Sequence, residues 1–431
     1  MKRRALTRLS LVGVLAAMGL TALTVPAHAA RSHAVTDVTF WTAYTGGLGT
    51  AFNALATQYE QAHGVHITDI VSANYTALFQ KEQSAVFAGG LPQAGQAYEN
   101  IAASLVKNGA ITRLESYVSN KKNGLSKKDI ADFPKGIWND TKLSGHMYMV
   151  PFSKSDIVLY YNPAILKSAG INKLPTTWNQ FAADSKKVTK VENGHPTQWG
   201  STFEISESTW YAWMKEWGAP ILGKGRKPVF ASKAGMAPVN FFVNLAKKGY
   251  VLFSTQSGFP GEADFDAGKT AFYVGTSAGY TFVKGGAKPG VQVLESEFPK
   301  GPKGRATELF GANMVIFSNN TIAQKTAAWN FLKWLVSPAQ TAYWAIHTGY
   351  MPVRKSAFKL SELKSYYAAN PSLDAAAKQL GSAVVEPSFP QWTKMQADIA
   401  TGLGSALTLS KPAAQAMKDA QTQATADLNS H

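Results

Sequence analysis

Residues able to do chemistry in this chain are mostly rings and small polar groups. The sequence holds eleven tryptophans and 16 tyrosines in 431 residues. Trp41, Tyr44, Tyr75, Tyr98, Trp210, Tyr273, Tyr280 and Tyr350 fall at expected strand ends or in loops, away from helix-core spacing. A flat apolar ring with a polar rim stacks well on a sugar ring, while nearby Glu, Asp, Ser and Asn bond its hydroxyls. The same residues equally suit ordinary packing between lobes, since large aromatics dominate cores in general. Trp329, Trp334 and Trp344 belong with an amphipathic helical pattern and read as core.

The machinery of common enzymes is missing. There is no GxxxxGK[ST] loop, no HExxH and no GxSxG. Gly285-Gly286 lacks the strand–turn–helix setting of a dinucleotide fingerprint. With no cysteine, thiolate zinc, iron–sulfur ligation, a cysteine nucleophile and a disulfide scaffold are all excluded. The eight histidines are scattered; His63 and His66 are three apart but a helix end lies between them. No catalytic residue, metal site or cofactor is therefore expected. A pair of carboxylates meeting in space as a glycosidase dyad stays open, because their separation is not written in a sequence.

The elements that must position these groups follow from periodicity. Residues 35–41 (VTDVTFW) alternate and are β-branched, a strand; residues 48–63 place Leu48, Phe52, Leu55, Ala56 and Tyr59 on one helical face. Residues 65–71 read as a second strand and 75–87 as a second helix stopped by Gly89-Gly90. Strand, helix, strand, helix implies a right-handed βαβ unit and a parallel sheet, hence an α/β fold. Further along, strands are expected at 147–151 and 157–161 around a polar turn, Ser153-Lys154-Ser155-Asp156. Others are expected at 270–274 and 314–317. Helices are expected at 164–169, from a Thr177 cap through Val188, at 210–217, 236–248 and 321–336, and from Pro390 to the end. No repeat, linker or composition break marks a boundary, so a second lobe would be interleaved with the first.

Residues 1–29 read as a signal peptide: Lys2, Arg3, Arg4 and Arg8, then an apolar run from Leu9 to Leu23, then Ala27-His28-Ala29. The chain carries 43 bases and 27 acids, a surplus of +16; cleavage after Ala29 would remove four bases and no acid, leaving +12. The remaining bases occur as short pairs such as Lys121-Lys122 and Lys247-Lys248, the pattern of solvated faces, so no nucleic-acid partner is expected. Scarce carboxylates would suit a low external pH, where protonating paired acids costs stability.

Several segments, in order, resemble extracellular solute-binding protein family 1, the receptors through which ABC importers take up sugars, oligosaccharides and glycerol-3-phosphate. Phe40-Trp41 before a glycine-rich turn resembles the family's start. Ser72-Ala73-Asn74-Tyr75 and Ala97-Tyr98-Glu99 resemble the G-N-Y and V-Y-E segments of the glycerol-3-phosphate binders. Pro151-Phe152 through Asn162 resembles the lobe-crossing strand, and Pro175-x-Thr177-Trp178 a P-x-T-W helix start. Phe265-x-x-Gly268 resembles F-x-x-G, and Thr348-Gly349-Tyr350-Met351-Pro352 resembles T-G-Y-L-P.

The resemblance implies a periplasmic-binding-protein type II-like fold, two interleaved α/β lobes with a ligand cleft between them. The lobes would be 30–152 plus 276–320 and 153–275 plus 321–431. It implies ligand contacts at Tyr75, Glu99, Ser155, Thr276, Ser277, Gly311 and Tyr350, to which the placement of rings at strand ends and in loops adds Trp41 and Trp210. The partners implied are a small carbohydrate or polyol and the ABC permease subunits in the membrane. The protein would be a monomer in the periplasm or cell exterior, not an enzyme. Thr393 stands where the glycerol-phosphate binders place an arginine, in a P-Q-x-R context. Threonine cannot supply a bidentate cation, so a neutral sugar is favoured over a phosphate, and Trp392 beside it would suit a ring.

Overall fold

The computed structural model describes residues 36–254 and 260–429; the expected signal peptide lies outside them. The opening βαβ unit forms as periodicity dictates. The strand Asp37–Thr42 pairs in parallel with His66–Val71 across the helix Gly46–His63, whose buried face carries Phe52, Leu55, Ala56 and Tyr59. Gly64 closes that helix at φ +67°, a left-handed conformation that costs glycine little. The first sheet runs 66–71, 37–42, 94–97, 313–316 and 149–151, the last two joined antiparallel.

The second sheet is built on Ser155–Tyr161 and Thr270–Thr276, antiparallel neighbours, with His195–Glu204 and Val251–Ser254 continuing one side and Thr307–Phe310 and Ala383–Val384 the other. Leu294–Glu297 also pairs with Ser155–Tyr161. One core gathers Phe40, Phe52, Trp329, Phe331 and Trp344; another gathers Trp178, Phe181, Phe203, Trp213 and Phe242. In the second, Trp213 stacks on Phe242 with centroids 3.7 Å apart.

The chain passes between the sheets at two adjacent places. Met149–Pro151 belongs to the first sheet and Ser155–Tyr161 to the second; Thr307–Phe310 belongs to the second and Asn313–Ile316 to the first. The two crossings run antiparallel, with Phe310 opposite Ser155 and Asn313 opposite Pro151. The expected polar turn at 153–156 is the passage from one sheet to the other, as the resemblance implies, and its polar residues are buried.

The sheets also apportion the later chain differently from the expected boundaries. Leu294–Glu297 and Thr307–Phe310 lie in the second sheet. The helices Ile322–Leu335 and Pro338–Thr348 pack on the first core, Phe331 against Phe40 at 6.1 Å and Trp344 against Tyr44 at 5.0 Å. The C-terminal helix expected as one piece is two, Trp392–Leu407 and Ala413–Asn429, parted where Leu409 takes φ +62° ahead of Pro412. Among the described residues no helix is long and apolar enough to cross a membrane.

Candidate functional site: a glutamate-lined cleft between two sheets

Strand ends of both sheets face one another across two cavities. The first, about 450 Å³, is lined from one side by Tyr75, Tyr98 and Glu99, which directly follow the strands 66–71 and 94–97. From the other side come Glu207, Glu308, Phe310, Glu386 and the start of the helix Trp392–Leu407. The second, about 430 Å³, is lined by Tyr160, Glu204, Glu262, Tyr273, Thr276 and Tyr350 among others, and Phe310 borders both. Ligands of open α/β sheets bind at such carboxyl ends of strands.

Local rules fix the aim of these side chains. Asn74 caps the helix Tyr75–Ala88 by accepting from the Ala77 amide at 2.9 Å, which puts Tyr75 at its first position. Glu99 and Glu207 open the helices Glu99–Lys107 and Glu207–Trp217, where the helix dipole favours a carboxylate. The rings of Tyr75 and Tyr98 meet edge to face at 4.7 Å. The Tyr75 hydroxyl accepts from Gln96 Nε2 at 3.3 Å and also bonds Tyr350, linking the walls of the two cavities.

Beside Glu99 lies the buried ammonium of Lys154. Its Nζ donates to Asp140 Oδ2 at 2.6 Å, Gly311 O at 2.8 Å and Glu99 Oε1 at 2.9 Å. Burial opposes ionisation of Asp140, yet the Lys154 charge and hydrogen bonds hold its carboxyl below the ordinary range. Burial and the Asp140 charge raise Glu99 well above its ordinary value. Gly311 takes φ +101°, and a Cβ there would stand 1.6 Å from Ser153 O, so only glycine lets the two crossings lie this close. Lys154 was not singled out from sequence, where it reads as one residue of a polar turn.

The expected contact residues separate into groups. Tyr75 and Glu99 line the first cavity, and Thr276 and Tyr350 the second. Ser277 is buried at the start of a short 3-10 turn, with its hydroxyl unbonded, behind a smaller cavity that Tyr350 also borders. Gly311 spends its carbonyl on Lys154. Ser155 is buried within the crossing and lines neither main cavity. Trp210, 1% exposed, packs edge to face on Phe230 at 5.5 Å and lies in the second core. Trp41 lines neither cavity; it packs with Leu78, Ala85 and Tyr75, and Lys81 Nζ sits 4.1 Å over its ring. Strand-end position alone did not separate a ring in the cleft from one under a helix. Trp392 borders the first cavity, but its ring is buried against Phe389 and Tyr211 rather than laid open for stacking.

Among the described residues, no lysine or arginine lines either cavity. Thr393 donates nothing to charge balance; it accepts from Asn100 Nδ2 at 2.9 Å, and Gln396 Oε1 accepts from the same amide at 3.1 Å. These bonds cross the cleft, from the helix Glu99–Lys107 to the helix Trp392–Leu407.

Two α/β lobes joined by paired crossing strands, with a cleft at the strand ends, define the type II solute-binding fold. The chain belongs to the bacterial extracellular solute-binding protein family, which matches residues 54–373. It is 27% identical to the sn-glycerol-3-phosphate-binding periplasmic protein UgpB of Pectobacterium atrosepticum, over 81% of each chain. Its fold is similar to that of UgpB from Mycobacterium tuberculosis in complex with glycerophosphocholine, with a TM-score of 0.79, 20% identity and coverage of 91% and 98%. It is likewise similar to an ABC substrate-binding protein from Listeria monocytogenes in complex with cycloalternan, with a TM-score of 0.79, 17% identity and coverage of 92% and 100%.

Proposed function

We propose that this chain is the exported receptor of an ABC importer, capturing a sugar, oligosaccharide or related polyol in the cleft and delivering it to the membrane permease. The observation that carries this reading is the lining of the two cavities: rings (Tyr75, Tyr98, Phe310, Tyr350) interleaved with carboxyls and hydroxyls. Such a wall stacks on sugar rings and bonds their hydroxyls. The lobes would be centred on the two sheets, with 152–154 and 311–312 as hinge. Their closure would bury the solute without turnover. The protein would act as a monomer outside the cytoplasm.

A second reading, glycerol-3-phosphate or a glycerophosphodiester, is favoured by the names of the curated relatives. Against it stands the lining without lysine or arginine, with Thr393 bonded to Asn100 where the resemblance places an arginine. Isothermal titration against mono-, di- and trisaccharides, polyols, glycerol-3-phosphate and glycerophosphodiesters separates the two. Binding of a sugar or polyol without product release supports the first reading. Phosphate-dependent binding alone would replace it with the second, and steady release of product from a glycoside would replace both with an enzyme.

A further inference from the structure

Carboxylates are scarce in this chain, 27 against 43 bases, yet Glu99, Glu207, Glu308 and Glu386 all border the first cavity. Glu308 is 5% exposed, and among the described residues no donor reaches its Oε2. Glu386 lies beside it with Oε1 likewise without a donor, while Trp392 Nε1 and Gln396 Nε2 donate to its other oxygen. The two carboxyls bond each other, through a proton that one of them retains, and a ligand donor that displaces this proton would bond both. Rings of Tyr75, Tyr98 and Phe310 border the same space, and aromatic faces attract cations. Among the described residues, no group of three His, Cys, Asp or Glu side chains is placed to hold a metal ion, which points to an organic donor.

We propose that the first cavity accepts a hydroxylated solute bearing an ammonium group, an amino sugar in its simplest form, with the ammonium seated on the Glu308 and Glu386 carboxyls. This rests on the sugar-receptor reading above and narrows its substrate class. Among the described residues, the groups facing this pair are Glu207 and Glu99 at two helix starts, Tyr98 beside Glu99, Tyr211 on the helix that Glu207 opens, and Trp392 and Gln396 on the C-terminal helix; none is a base. Burial and neighbouring carboxyls raise Glu308 well above its ordinary value and Glu386 to about 7, so near neutrality the empty pair retains a proton. An arriving ammonium forms hydrogen bonds to both carboxyls and releases that proton to solvent.

The test is calorimetric titration, at pH 6, of the purified chain with mono- to trisaccharides, each matched with its 2-amino-2-deoxy counterpart, and with glycerol-3-phosphate. The aminated member of at least one pair is expected to bind tenfold or more tighter than its neutral partner. Its heat should vary with buffer ionisation enthalpy as a proton leaves, and its affinity should rise from pH 5 to pH 7. Glu308→Gln and Glu207→Gln are expected to shrink the aminated-to-neutral ratio toward one; the buffer dependence needs no substitution and stands even if a variant folds poorly. Neutral members binding as tightly as aminated ones would overturn this inference and leave the receptor reading intact. Tightest binding of glycerol-3-phosphate would overturn it in favour of the phosphate reading, and no binding by any member would sink both.

Discussion

Lys154 Nζ stands 2.6 Å from Asp140 Oδ2, with both side chains essentially shut off from solvent. The lysine comes from one crossing strand and also holds the Gly311 carbonyl of the other. The pair therefore ties both crossing segments to the first sheet, where Asn313 Nδ2 donates to Glu99 Oε1 at 2.7 Å and Asp140 Oδ2 at 3.0 Å. Removing one partner of a buried pair leaves the other charge uncompensated, at a cost of about 3–5 kcal/mol. Lys154→Met is expected to destabilise the protein by that order in urea unfolding, and Lys154→Met with Asp140→Asn to recover much of it. A single variant as stable as the parent would show that the network is not ionised.

Stability is expected to rise on mild acidification. Burial raises several carboxyls: Glu216 to about 8, Glu262 and Glu386 to about 7, and Asp69 to about 6. In unfolded chains these groups titrate near pH 4. Between that value and the raised ones the native state binds more protons, so its stability falls as pH rises through the window. Asp129, Asp132 and Asp140 behave oppositely: their lowered values contribute stability above about pH 4 that disappears as pH falls through the folded value. Chemical unfolding from pH 8 to pH 3 should therefore give a maximum near pH 4–5. A maximum at pH 7 or above, or collapse already at pH 5, would refute both this expectation and the acid-solvent account of the chain's charge.

Elements with local signals were legible in both lobes. Phe52, Leu55, Ala56 and Tyr59 declare a helix face in the first, and the Thr177 cap, accepting from the Gln180 amide, starts its helix where expected in the second. Tyr75 and Glu99 were named through the family resemblance, and each follows a strand and opens a helix beside the first cavity. The burial of Lys154 was not legible, since its partners Glu99 and Asp140 are distant in sequence and nothing local separates a hinge lysine from a turn lysine. For the same reason, Trp210 looked available for stacking, although Phe230 covers it from a later segment. Lobe boundaries after residue 276 failed because Phe331 chooses its lobe through Phe40 and Phe52, contacts across nearly 300 positions that no composition change announces.

Tyr75 should matter more for ligand than for folding. It opens its helix, meets Tyr98 at 4.7 Å and lines the first cavity, while the Asn74 cap persists without it. Tyr75→Ala is expected to weaken solute binding about tenfold or more, the effect of losing an aromatic contact and a hydroxyl partner. Trp210→Ala should do the reverse, lowering stability by about 3–5 kcal/mol through a core cavity. Titration and urea unfolding on the two variants check the assignment; equal loss of affinity in both would undo it.

Asn100 bridges the cleft through Thr393 and Gln396, and its two bonds join the helices on opposite sides of the first cavity. Each neutral bond contributes about 0.5–1.5 kcal/mol. Asn100→Ala removes both from the closed form alone, so it is expected to shift the population toward an open cleft. Affinity should fall by a similar factor, about 5- to 150-fold, for every solute that binds, because the lost contacts are between lobes rather than with ligand. Small-angle scattering checks this directly: the ligand-free variant should show a larger radius of gyration than the parent, and saturating ligand should bring the two together. Thr393→Ala should show a smaller shift of the same kind, leaving the Gln396 bond in place. Unchanged scattering with ligand-selective loss of affinity would mean that Asn100 contacts the solute instead, and the closure assigned to this pair would fall.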